Sequence, residues 1–234
     1  MSGDRKTPVK AGNHTDVAAF LAKVAQTPVK TSGKRGRLLF AMDATASREP
    51  TWDAAMELQA QMFSETASLG GLSVQLCYYR GFREFHHSSW CDDAGTLLRE
   101  MTGVMCLGGQ TQISRVLSHA LEENRREPVQ ALVFIGDALE EDADALCEKA
   151  GKLGLVNVPV FIFQEGTDPT VRSIFSRIAK LSGGAFAPFD KRSAAQLKSL
   201  LSAVAVFAAG GRRALEDFSQ RAGGEVLRLT RQLK

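Results

Sequence analysis

Apolar and polar positions alternate along this chain between short continuous apolar runs and longer stretches of helical period. Leu38-Leu39-Phe40-Ala41-Met42 and Ala131-Leu132-Val133-Phe134-Ile135 are uninterrupted apolar runs of strand length, the pattern of strands buried on both faces. Leu72-Ser73-Val74-Gln75-Leu76-Cys77-Tyr78-Tyr79 also reads as a strand. Further strands are expected at 158–163 and 185–189, with the second apolar run extended to 130–136. Between them, apolar residues recur at helical spacing from Trp52 to about Ser68, through Ala55, Met56, Leu58, Ala60, Met62 and Phe63. Gly70-Gly71 supplies the stop. Other helices are expected at 92–102, 111–126, 142–153 and 171–181. A short one is expected at 16–24, ahead of Pro28.

Gly81 allows a tight turn into Phe82–His86. A connection that short cannot cross over, so this pair is expected to be antiparallel and at a sheet edge. From Ser193 the pattern is helical through Leu197, Leu200, Leu201, Val204 and Phe207, is broken at Gly210-Gly211, and resumes through Leu215 and Phe218. Gly223-Gly224 interrupts it again before Val226–Thr230. The alternation predicts an α/β protein: a doubly wound three-layer α/β/α sandwich around a mostly parallel six-stranded sheet with one antiparallel edge strand. The expected organisation is a basic N-terminal extension over 1–36, the sheet domain over 37–209, and a C-terminal helical or irregular extension over 210–234.

Composition narrows the partners. With 234 residues, 44% hydrophobic and 24% charged, the chain has ordinary globular balance, and a net charge of +3 is too small to argue for nucleic acid. The charge is uneven: Arg5, Lys6, Lys10, Lys23, Lys30, Lys34, Arg35 and Arg37 face only Asp4 and Asp16 in the first 37 residues. That segment reads as a solubilising leader, with an arm for an acidic partner as the alternative. No apolar stretch reads as a membrane span, and the first residues lack a signal-peptide core, so a cytoplasmic location and no membrane partner are expected. The four cysteines show no CxxC spacing, so free thiols are expected. Cys91 and Cys106 with His86 and His87 do not have the spacing of a structural metal site.

The chemistry lies in three separated stretches: Asp43-Ala44-Thr45-Ala46-Ser47, Gly108-Gly109-Gln110-Thr111 and Gly136-Asp137. Asp43 and Asp137 follow the two apolar runs, which places them at strand carboxyl ends, where open α/β sheets bind ligands. On an extended segment alternate side chains point the same way, so Asp43, Thr45 and Ser47 can converge. Gly108-Gly109 lets the backbone approach closely before Thr111. Five oxygen side chains with neither His nor Cys suit a hard cation such as Mg²⁺, with Mn²⁺ or Ca²⁺ as alternatives. Helix capping competes as an explanation for any one of these residues, Thr111 and Ser47 above all. Glu140, Glu141 and Asp142 read as a solvated helix start.

In order and spacing, Asp43, Thr45, Ser47, Thr111 and Asp137 resemble the metal-ion-dependent adhesion site (MIDAS) of von Willebrand factor A (VWA) domains. Thr45 replaces the usual first Ser and keeps its hydroxyl, and Ala138 stands where many members have Gly. The resemblance covers roughly 37–207 and implies a Rossmann-like fold of the bacterial intracellular type. It implies that the hydroxyls of Thr45, Ser47 and Thr111 bind the ion directly and that the aspartates act through water. A partner protein would then supply an Asp or Glu to the open position. It also implies a non-enzymatic role, in assemblies such as those with AAA+ ATPases, chelatases or stress-response systems. An enzyme reading competes: Asp43 and the acidic run Gly136–Asp142 resemble a haloacid dehalogenase-like phosphatase with Asp43 as nucleophile. Thr45 occupies the place of that family's acid, which would protonate the leaving group. A further alternative is a metal-free scaffold using Arg212, Arg213, Arg221, Arg228, Arg231 and Lys234.

Overall fold

A computed structural model describes residues 35–189 and 194–221. The expected helix at 16–24, the rest of the basic extension before residue 35 and the Val226–Thr230 segment lie outside the described residues. The strands are β1 (Gly36–Asp43), β2 (Leu72–Arg80), β3 (Glu84–His87), β4 (Ala131–Gly136), β5 (Val160–Glu165) and β6 (Phe186–Phe189). The helices are α1 (Glu49–Thr66), α2 (Ala94–Thr102), α3 (Ile113–Arg126), α4 (Ala143–Leu155), α5 (Pro169–Leu181) and α6 (Ala194–Arg221). The sheet order is β3-β2-β1-β4-β5-β6. Among the described strands only β3 is antiparallel, paired to β2 across the Gly81 turn. The six-stranded, mostly parallel sheet with one antiparallel edge strand therefore has the architecture the hydrophobic pattern predicts.

The continuous apolar run of β1 has a direct structural reason. Leu38, Phe40 and Met42 face one core with Trp52 and Met62 of α1 and with Leu200, Leu201, Val204 and Phe207 of α6. Leu39 and Ala41 face the other core with Ile113, Val116 and Leu117 of α3, Leu146 and Leu153 of α4, and Phe175 and Ile178 of α5. Both faces are covered, so neither face can carry polar residues.

Helix α6 departs from one sequence-based expectation and meets another. Ala194–Gly211 is long and apolar enough to cross a membrane, although no such stretch was expected. Its apolar residues are those of a core helix, since 67% of that window is buried inside the fold. The helix is interrupted at the glycine pair where a break was expected, and helical structure resumes beyond it. Gly211 kinks it at φ 76°, a left-handed value that glycine adopts without steric penalty. Ala214 and Leu215 then return to the same core as β1.

The connectivity fixes where a ligand would sit. From β1 the chain moves to β2 and β3 on one side, then returns to β4 on the other side of β1 and continues to β5 and β6. The order thus reverses between β1 and β4. At such a switch point the two outgoing loops diverge and open a crevice beyond the strand carboxyl ends.

Candidate metal centre

Asp43 is the last residue of β1, and Asp137 follows β4 directly. The two strands pair in parallel, Met42 opposite Ile135. Asp43, Thr45, Ser47, Thr111 and Asp137 line one cleft of about 270 Å³, with Ala46, Gly108, Gly109, Ala138 and Glu140. All five expected residues are therefore brought together.

The loop after β1 reaches this geometry differently from the extended segment expected. The chain stays extended through Thr45, then enters a single 3₁₀ turn over Ala46–Arg48. That turn brings Thr45 Oγ1 to 3.4 Å from Ser47 Oγ. Adjacent oxygens around an octahedral Mg²⁺ lie about 2.9 Å apart, and those around Ca²⁺ somewhat farther. The two hydroxyls are therefore spaced to share one cation.

The glycine turn is set by close packing. A Cβ on Gly109 would lie 1.9 Å from the Gly81 carbonyl oxygen, which also accepts a hydrogen bond from the Gln110 N–H at 3.1 Å. The Leu107 N–H donates to the Ala44 carbonyl at 3.0 Å. The loop before Thr111 is thus tied both to the β2–β3 turn and to the residue after Asp43.

Capping does not explain these residues. Ser47 makes no side-chain cap at α1, and the residue preceding α3 is Gln112, also without one. The Thr111 hydroxyl instead accepts from the Glu140 N–H at 3.0 Å, while the Thr111 N–H donates to Glu140 Oε2 at 3.1 Å. The first turn of α3 is capped from across the cleft, by the Glu141 carboxylate, which accepts from the N–H groups of Ile113 and Ser114. Of the acidic run, only Asp142 caps its own helix, accepting from the Ala145 N–H. Glu140 is exposed, as a solvated start of α4 would be, but it and the half-buried Glu141 also strap Thr111 and α3 in place. Their role needs two loops placed side by side, and no local sequence pattern reveals it.

Electrostatics marks Asp43. Its side chain accepts the Thr45 N–H at 2.8 Å and is almost inaccessible to solvent. Burial raises its pKa to about 6, with Asp137 adding to the rise; the Thr45 hydrogen bonds and the Arg48 charge act against it. Below Asp43, burial and then the charges of Asp43 and Glu141 push the Tyr79 hydroxyl well above its ordinary value. A carboxylate this reluctant to ionise stabilises a cation placed beside it. The donor set of hydroxyls and carboxylates fits a hard divalent ion.

Comparison with known proteins bears on the fold. The sequence matches no protein-family model and no curated protein. Solved structures match over much of the chain. The SpRpn10 VWA domain is 14% identical, with a TM-score of 0.54 over 76% of this chain and 97% of that one. The chain has a VWA fold. Proximal thread matrix protein 1 from the mussel byssus, with a zinc-occupied MIDAS motif, is 14% identical at a TM-score of 0.58, over 74% of this chain and 46% of that one. An aerotolerance-related membrane protein from Bacteroides fragilis is 16% identical at 0.53, over 69% of this chain and 95% of that one.

Arg48, Thr51 and Glu165, behind the cleft, also escape a sequence reading. Arg48 is buried, reaching Asp137 Oδ2 at 2.9 Å and pairing with Glu165 at the end of β5. Thr51 also donates to Glu165. An arginine after a loop serine carries no signal of its own, and the strand expected at 158–163 stopped short of Glu165. Elsewhere, the four cysteines are free, and among the described residues no group of three or more His, Cys, Asp or Glu is arranged to hold a metal ion.

Proposed function

We propose that this VWA domain is a divalent-cation-dependent protein-interaction module whose cleft at the β1/β4 switch point is a MIDAS. The observation that carries the reading is the convergence of all five oxygen residues on one cleft, with no helix cap using Ser47 or Thr111. Asp43, Thr45, Ser47, Thr111 and Asp137 would hold the ion. The bound ion supplies a Lewis-acidic position that accepts a carboxylate. The preference is for Mg²⁺, with Mn²⁺ as the practical probe, because three of the five donors are neutral hydroxyls and the ion keeps sites for water or a partner's Asp or Glu. The mussel protein, with zinc at its MIDAS motif, supports the reading by analogy.

Binding rather than catalysis is proposed, since Thr45 stands where a phosphatase of the competing kind would place its acid. A cytoplasmic role in a larger assembly belongs to the same proposal. Its test is calorimetric titration of Mn²⁺ into the wild type and Asp43→Ala, followed by partner capture in Mg²⁺ with release by chelator. Saturable binding lost in Asp43→Ala, and capture that follows it, support the module. Capture unaffected by chelator and by Asp43→Ala overturns it.

A further inference from the structure

The guanidinium of Arg48 sits behind the cleft with contacts to three side chains. Nε donates to the Ser47 hydroxyl at 3.4 Å. One terminal nitrogen pairs with Asp137 Oδ2 at 2.9 Å. The other pairs with Glu165, whose carboxylate also accepts from Thr51. The Arg48 side chain is only 8% exposed, and that of Glu165 only 6%. Two of these three partners, Ser47 and Asp137, are residues assigned to the ion. A guanidinium removed from water needs compensating anions, and here one of them is a carboxylate that the ion also needs.

We propose that Arg48 is a built-in counter-cation of the ion site. It neutralises Asp137 when no ion is bound and competes with the ion for that carboxylate when one arrives. The inference rests on the metal reading of the cleft and deepens it. Glu165 anchors Arg48 from behind, so the guanidinium stays in place when the ion binds and Asp137 is shared between two cations. Sharing lowers the affinity for the ion alone. A partner carboxylate brings the missing negative charge, so ion and partner bind more tightly together than either does separately. The site therefore fills most readily when the partner is present.

The counter-cation role is distinguishable from a merely structural one, because the two predict opposite directions for the same variant. Loss of a structural arginine weakens both the fold and ion binding. Loss of a counter-cation weakens the fold, by leaving Glu165 buried without its arginine, but strengthens ion binding.

The experiment measures ion-free melting and calorimetric Mn²⁺ affinity for the wild type, Asp43→Ala, Arg48→Met and the double variant Arg48→Gln/Glu165→Gln. The double variant leaves no unpaired buried acid and keeps the test readable if Arg48→Met does not fold. The expected result is a lower ion-free Tm for Arg48→Met with a Kd for Mn²⁺ at least about tenfold tighter, since removing a unit charge from beside a divalent ion is worth about tenfold even in a water-like dielectric and more where the charge is buried. The double variant is expected to bind severalfold tighter than wild type. Equal or weaker Mn²⁺ binding in the folded Arg48 variants overturns the counter-cation while leaving the MIDAS reading intact, provided the wild type binds and Asp43→Ala does not. No binding by any of the four proteins overturns both.

Discussion

Two arginines bracket β1, and they sit in opposite electrostatic settings. Arg37, near the amino end of the strand, lies 3.9 Å from the centroid of the Trp90 ring and pairs with Glu123 and Glu127. Glu123 in turn receives Arg126 and the Trp90 indole N–H. Arg48, beyond the carboxyl end, is also placed between two acids, Asp137 and Glu165. At the Arg37 end the charges are matched in a packed network. At the Arg48 end a further buried carboxylate, Asp43, makes no ion pair among the described residues, and three hydroxyls join it around a cleft. An excess of oxygen donors over cations at one end and balance at the other is what separates a ligand site from structural ion pairing.

The largest effect is expected where the network is closed. Arg37→Met removes the less exposed of the two arginines on Glu123 and should lower stability by about 3 kcal/mol in urea denaturation, with the Tm response to Mn²⁺ unchanged. If that response disappears, the two ends are coupled and the contrast fails. Gly109→Ala forces a Cβ against the Gly81 carbonyl, with backbone on both sides and no flexible side chain to yield. It should lower stability by about 2 kcal/mol and reduce Mn²⁺ binding, because it displaces the loop that presents Thr111.

The pH dependence follows from Asp43, whose pKa is raised to about 6 in the folded protein. A raised folded-state pKa means that the protonated group favours the fold. The ion-free protein should therefore lose up to about 2 kcal/mol of Asp43-linked stability as pH rises from about 4 through 6. Ion affinity should move the other way and climb through the same window, since the ion needs the carboxylate. Ion-free melts and Mn²⁺ titrations at pH 5 and 7.5 check both directions. The smallest effect is expected from Glu141→Gln, which weakens the cross-cleft cap on α3 and should cost about 1 kcal/mol in a thermal melt while ion binding persists.

The fold was largely legible because strands buried on both faces require continuous apolar runs, and Leu38–Met42 and Ala131–Ile135 are such runs. Gly70-Gly71 and Gly81 mark the turns between elements. The five oxygen residues were legible for the same reason: strand ends can be located once strands can. What the sequence concealed depends on neighbours distant along the chain. Arg48 acquires its role only because β5 delivers Glu165 beside β4, and Glu140 and Glu141 acquire theirs only because the β4–α4 loop crosses to α3. The break expected at Gly210-Gly211 is where the backbone of α6 leaves helical geometry, and the segment beyond it is helical again because Ala214 and Leu215 have a core to enter.

Thermal melting with and without millimolar Mn²⁺ decides whether Asp43 and its neighbours form a cation site. At neutral pH, Asp43→Ala should leave the ion-free Tm unchanged or higher, because an ionised buried carboxylate opposes folding. The wild-type Tm should rise with Mn²⁺ concentration by mass action, and that rise should vanish in Asp43→Ala. A wild-type Tm indifferent to Mn²⁺, or an equal rise in Asp43→Ala, contradicts the account.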